Sequence, residues 1–249
     1  MKIYYNPVLM YHRINDYDSF MPEIRTISVN CRLFKKQIEF LVKKNYNFLT
    51  FKNYAELFES NNLKPKDICI TFDDGWEDNY IFAFPILKQH NIKATFFIIS
   101  GYIDSDETLP AWRKSLNQNK HRFMKSEQIQ ELIDYGMEIG CHTMSHKRLT
   151  QIEGESAEKE IINSKKFLEE KFRIKIDSFS YPYGDHSKSI IEITKKAGFK
   201  AACVVTHGRE ISFNNRDIFK IEREFISNDS IFKLKLKLSG IKKFIRKLF

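Results

Sequence analysis

The sequence predicts a single-domain α/β barrel, and three observations carry that prediction. At 249 residues with 42% hydrophobic side chains the chain can bury a substantial core, and α/β barrels of roughly 200–250 residues routinely form one domain. Short apolar runs alternate with segments of helical period, the pattern of a mostly parallel sheet. About eight runs qualify as strands, which favours a closed or partly closed barrel over an open doubly wound sheet.

The elements follow in order. PVLMYHRI reads as a first strand, and residues 30 to 45 place Phe34, Ile38, Leu41 and Val42 on one helical face with Asn30 as N-cap. NFLTF is a short strand, KNYAELFES a short helix, and NNLKPKD a turn-forming stretch leading into the buried strand ICITF. WEDNYIFAFPILKQHN has a helical pattern, with Pro85 forcing a kink or a restart. KATFFIIS is the next strand. Residues 101 to 125 show no period, and Trp112 among them either lines a site or anchors the loop. Ser126 is placed to cap EQIQELIDYG, which Gly136 closes. MEIGCH, DSFSYP, AACVV and FKIEREFI are further strands, with helices starting near Glu153 and His186.

Composition bounds the function. The formal charge is +9, but KLKLKLSGIKKFIRKLF at 233–249 holds seven Lys or Arg and no acid, leaving 34 basic against 32 acidic residues elsewhere. A nearly neutral body has no basic stripe for nucleic acid, so the charge speaks only for the tail. Cys31, Cys69, Cys141 and Cys203 are widely spaced without a CxxC pair and read as reduced, largely buried thiols. The N-terminal residues lack a secretory pattern, and no run approaches the ~18 apolar residues of a membrane span, so a cytoplasmic location is expected.

ITFDDGWEDNY then poses the chemical question. Asp73 and Asp74 stand at the end of an apolar strand, where ionised groups need partners, and barrel enzymes carry their catalytic residues at such strand ends. The turn-and-cap reading of Asp-Asp-Gly is equally open on these residues alone. His142 and His146 in CHTMSH have the HxxxH spacing, which on a helical turn puts two imidazoles on one face. Two histidines and one carboxylate leave open positions on a divalent ion, as a catalytic site requires. The other carboxylate can then face the activated water as a base. FSYPYGDHS is a third strand entering a constrained turn, able to aim a backbone N–H at an oxyanion.

Together these segments resemble the polysaccharide deacetylases, the fourth carbohydrate esterase family, also called NodB-homology domains. TFDDG at 71–75, HTMSH at 142–146 and SYPYG at 180–184 match its motifs in type, order and spacing, over roughly residues 5 to 226. The resemblance implies a distorted, TIM-barrel-like (β/α) barrel that binds a divalent metal, zinc first with cobalt or nickel as alternatives, and removes N-acetyl groups from an amino-sugar glycan or its precursor. It implies Asp73 as general base, Asp74, His142 and His146 as metal ligands, and the Tyr183 backbone N–H as an oxyanion donor. For the acid that protonates the leaving amine, THG at 206–208 is a poor match to the family's late histidine motif. His12 is the first candidate, by resemblance to the permuted poly-N-acetylglucosamine deacetylase branch, and His207 the reserve. The family's third-motif arginine is replaced by Ser180, and Arg223 or Arg13 is expected to supply the missing charge beside Asp73. A catalytically silent carbohydrate-binding protein is the alternative.

The expected organisation is a catalytic domain over 1–230 and a basic amphipathic tail over 231–249. In the tail FKLKLKL alternates as a strand would, while IKKFIRKLF puts its apolar side chains on one helical face. Such a segment either contacts the inner face of the membrane peripherally or closes the barrel.

Overall fold

The computed structural model describes residues 5–16, 22–106, 121–205 and 216–240. Trp112, His207 and residues 241–249 lie outside them. In chain order the elements are β1 (Val8–Tyr11), β2 (Arg13–Asn15), α1 (Pro22–Ile27), β3 (Ser28–Asn30), α2 (Cys31–Lys43), β4 (Asn47–Leu49), α3 (Phe51–Glu59), β5 (Asp67–Phe72) and α4 (Phe84–Gln89). Then come β6 (Thr95–Ile98), α5 (Ser126–Asp134), β7 (Glu138–Cys141), α6 (Gly154–Phe172), β8 (Ser178–Ser180), α7 (Lys188–Lys196), β9 (Ala201–Val205), β10 (Ile221–Phe225) and α8 (Ile231–Leu238).

Eight strands join in the order β1-β10-β9-β8-β7-β6-β5-β4, all parallel, and a further β1–β5 pairing closes seven of them into a barrel with β4 outside. The predicted barrel is therefore closed. Parallel strands point their C-terminal ends to one rim, so the residues after β1, β5, β7, β8 and β10 converge there. Inside, Phe97 lies across β7, where a Cβ at Gly140 would stand 2.4 Å from the ring. Glycine at 140 makes room for that phenylalanine.

Where local structure departs from the sequence reading, a nearby contact explains it. The first strand breaks at His12, because β1 enters the barrel while β2 turns aside to pair with β3. Asn79 holds the break, its Nδ2 donating to the His12 carbonyl at 2.8 Å. Pro85 falls in the first turn of α4 after a π-helical turn over Asn79–Ala83, the restart its missing N–H allows. On α2, Asn30 caps as expected and Phe34, Ile38 and Leu41 are buried. Val42, however, is 36% exposed, and Gln37 takes its place in the buried stripe, accepting from the Tyr11 hydroxyl and donating to the Asp229 carbonyl. Ser126 opens α5 without capping it; its N–H and hydroxyl both donate to the Asp104 carboxylate.

The alternating FKLKLKL is helical, a correction of the strand reading. Every second residue includes every fourth, so Leu234 and Leu238 fall on one face of α8 and are buried while Phe232 is 70% exposed. Ser230 caps the helix, and Lys237 is drawn to Asp229 and to the Phe225 carbonyl. No helix among the described residues is long and apolar enough to cross a membrane. All four cysteines are free thiols, three of them buried. Burial pushes Cys141 up to about 11, which leaves it an unreactive thiol despite its place beside His142.

Candidate active site

Each strand end delivers one part of the site. β5 ends in Asp73, whose N–H donates to the Tyr11 carbonyl at 2.9 Å, and the chain then turns sharply through Asp74 at φ 75. That turn sends the two adjacent carboxylates in different directions. Asp73 faces Arg223 from β10 in a two-pronged pair, Nη1 to Oδ1 and Nη2 to Oδ2 both at 2.6 Å, with both groups fully inside the barrel. Ser180 on β8 accepts from Arg223 Nη2 at 2.9 Å and Thr71 on β5 from Nη1 at 3.2 Å, fixing the guanidinium. Burial alone would raise Asp73, but Arg223 and then His142 outweigh it and hold the carboxyl below its ordinary 3.8. Asp73 is thus an ionised, pre-oriented carboxylate, chemically able to accept a proton.

Asp74 faces the histidines. Its Oδ1 lies 3.5 Å from His142 Nε2 and 3.4 Å from His146 Nε2, and that buried oxygen has no hydrogen-bond partner. The three donor atoms lie within 4.8 Å of one another. Ligands about 2.0–2.1 Å from a tetrahedral ion stand roughly 3.3–3.4 Å apart, so the two Asp74–histidine distances and the orphaned oxygen fit a divalent cation. His142 donates from Nδ1 to the Ser180 carbonyl at 2.7 Å, which leaves Nε2 as the nitrogen that faces Asp74.

The HxxxH segment is not the helical turn that its spacing suggests. It is a loop in which Thr143 and His146 take left-handed backbone angles, closed by the Thr143 hydroxyl accepting from the His146 N–H at 3.0 Å. Glu160 on α6 clamps it by accepting from the Ser145 N–H at 2.9 Å and from the Ser145 hydroxyl. Two imidazoles meet because the loop curls, and the i, i+4 spacing only permits it.

His12 and Tyr183 complete the rim. The His12 ring is half-buried with its edge toward Phe225, its Nδ1 has no hydrogen-bond partner, and desolvation lowers its pKa against the charges of Asp74 and Asp73. Tyr183 sits at φ 60 in the Pro182–Gly184 turn, with its ring against His146 at 4.6 Å between centroids and under the Arg148 guanidinium. Gly184 lets the turn lie flat on β9, since a Cβ there would come within 2.8 Å of the Val205 carbonyl.

A family model for polysaccharide deacetylases matches residues 60–202. The chain belongs to the polysaccharide deacetylase family. Among curated relatives of this deacetylase-family chain, YxkH of Bacillus subtilis, named for the same family, is 30% identical over 204 residues. That match takes in 81% of this chain and 65% of YxkH, so the chain spans about two thirds of that relative's length. The poly-beta-1,6-N-acetyl-D-glucosamine N-deacetylase of Staphylococcus aureus N315 is 26% identical over 240 residues, 89% of this chain and 79% of the relative. Among solved structures, the Streptococcus pyogenes deacetylase PplD in complex with acetate superposes with a TM-score of 0.75 at 25% identity, covering 94% of this chain and 97% of PplD. IcaB from Ammonifex degensii, at 21% identity and a TM-score of 0.75 over 95% and 98% of the two chains, shares the fold.

Against this family background, the arginine question has a structural answer. The guanidinium that the polysaccharide deacetylase motif lacks at Ser180 arrives from β10 as Arg223, and the serine hydroxyl binds it. Arg13, the other candidate, is engaged elsewhere, with Nε 2.7 Å from Asp78. Three residues given no role by the sequence reading also shape the site: Thr71, inside the TFDDG motif, Glu160, and Trp76, which directly follows that motif and bonds Asp74.

Cation uptake should release protons. Burial lowers both histidines, but for His142 the closeness of Asp74 and the charges of both carboxylates prevail and raise it above 6.5, whereas His146 is brought down to about 4. At pH 6 His146 is therefore already neutral and His142 still carries a proton that a ligand must shed. Calorimetry with zinc at pH 6, in buffers of different ionisation enthalpy, is expected to show about one proton released, with apparent affinity climbing as pH rises.

Proposed function

We propose that the protein is a metal-dependent hydrolase that removes N-acetyl groups from an amino-sugar glycan of the poly-N-acetylglucosamine kind. The observation that carries this reading is the division of labour between neighbouring carboxylates: Asp73 locked ionised on Arg223, and Asp74 with a bare oxygen turned to two imidazoles. The Staphylococcus relative is named for this substrate, and the family match supports the reaction class.

Asp74, His142 and His146 would hold the divalent ion, zinc by its preference for nitrogen and oxygen donors. When bound, such an ion supplies Lewis acidity, polarising a carbonyl and lowering the pKa of water. Asp73 takes the proton from the attacking water, and its pairing with Arg223 aims the carboxylate without neutralising it by protonation. The Tyr183 backbone N–H is assigned to the oxyanion, and the exposed Tyr183 ring offers a flat face to a sugar. His12 delivers a proton to the departing nitrogen, and burial makes its imidazolium a readier donor than a free histidine. The proton taken by Asp73 then passes to solvent and His12 takes one up again, so that each turnover divides one water between acetate and a free amine.

The test is incubation of zinc-loaded protein with N-acetylglucosamine oligomers, including β-1,6-linked ones, with acetate assayed enzymatically and free amines by mass spectrometry. Stoichiometric acetate and amine are expected. Zinc uptake and glycan binding without acetate would establish the silent binding protein in its place.

A further inference from the structure

Behind Asp74 lies a buried construction that the reaction itself does not call on. Trp76 donates from its indole Nε1 to Asp74 Oδ2 at 2.9 Å, and the indole is 0% exposed. Its ring stacks on Phe123, with centroids 4.4 Å apart and planes at 19°, and the Arg13 guanidinium lies over it at 4.7 Å. Arg13 is in turn fixed by Asp78 through Nε and by His121 through Nη1. The backbone is braced as well: Trp76 and Phe123 form an antiparallel bridge, Glu77 N–H donates to the Arg122 carbonyl, and Met124 N–H donates to the Gly75 carbonyl, each at 2.9 Å. Two aromatic rings, one ion pair and two backbone bonds therefore immobilise a single N–H.

That N–H occupies one of the two oxygens of Asp74 and leaves the other facing both imidazoles. An unclamped carboxylate can rotate and offer an ion both oxygens, or neither. We infer that Trp76 is a positioning residue that restricts Asp74 to donation through Oδ1 alone, with Arg13 and Phe123 packed on its ring. The inference rests on the metal-site reading given above. Groups that orient a metal ligand in this way typically contribute 10–100-fold to metal affinity or activity.

Trp76→Phe keeps an aromatic ring on Phe123 and removes only the N–H. Phe123→Leu keeps the N–H and loosens the stack. Zinc and cobalt affinities measured by calorimetry, the visible spectrum of the cobalt form and the Tm of each protein separate the roles. Trp76→Phe is expected to bind both ions about 10–100-fold more weakly, with an altered cobalt spectrum and a Tm near that of the parent. Phe123→Leu is expected to lower the Tm and to bind cobalt within a few-fold of the parent. A folded Trp76→Phe protein with cobalt affinity within about twofold and an unchanged spectrum overturns the assignment. Should Trp76→Phe not fold, Trp112→Phe leaves Trp76 as the only one of the two tryptophans, and its emission is expected to shift as zinc saturates the site. An unshifted emission at demonstrated saturation overturns the assignment too. A parent protein that takes up neither ion refutes the metal site itself, a result distinct from both.

Discussion

Asp73→Asn is expected to lower kcat/KM for acetate release by about 10²–10⁴-fold while zinc uptake persists. General-base catalysis contributes that much, equivalent to roughly 3–5 kcal/mol of transition-state stabilisation. Uptake should persist because the proposed cation donors are Asp74, His142 and His146, and the neighbouring side chain is not among them. Asparagine keeps an oxygen for Arg223, so part of the anchoring remains, but it cannot accept a proton. The measurement is acetate release at saturating zinc beside a calorimetric titration. A variant keeping a tenth or more of the parent activity would remove Asp73 from the base role.

Arg223→Met should strike both stability and pH dependence. Removing one partner of a buried ion pair typically costs about 3–5 kcal/mol, which for a chain of this size lowers Tm on the order of 10 °C. The pH dependence reverses. In the parent, Asp73 sits below its ordinary 3.8, so its contribution to stability is present above that value and is lost as pH falls through the depressed one. Without Arg223 the strongest influence holding Asp73 down is gone, only the nearby histidines oppose its burial, and Asp73 is expected to rise above its ordinary value. Ionising it then costs stability as pH climbs past the unfolded value. The parent-to-variant stability gap should accordingly be small near pH 3 and widen toward neutrality. The acid limb of the rate profile should move to higher pH for the same reason. Denaturant melts from pH 3 to 7 and a pH–rate series check both, and a constant gap across that range would contradict the pairing.

What the sequence revealed follows from how locally each feature is encoded. The carboxylate pair, the two histidines and the Pro-Tyr-Gly turn were legible because each lies within five consecutive residues at a strand end. The barrel was legible because apolar runs and helical periods alternate. Arg223 was legible only as one of two candidates, since its partner lies 150 positions away and only the β1–β10 register shows which arginine faces inward. Trp76 gave no signal, because its reach to Asp74 depends on the left-handed turn at position 74. The helix α8 was misread because a two-residue alternation contains the four-residue spacing of a helix face. The loop form of the histidine segment was hidden for a related reason: spacing fixes which side chains can meet, and the Thr143 and Glu160 contacts fix how.

The position of β1 between β5 and β10 bears on how the protein is made. Its strand partners are the fifth and the last in the chain, so the seam shuts only when Ile221–Phe225 reaches Val8–Tyr11. On the ribosome, Asp73, Asp74, His142 and His146 all emerge long before the guanidinium that keeps the first of them charged. Asp73 therefore cannot gain its guanidinium partner, nor the seam its last strand pairing, until synthesis has passed the segment Ile221–Phe225.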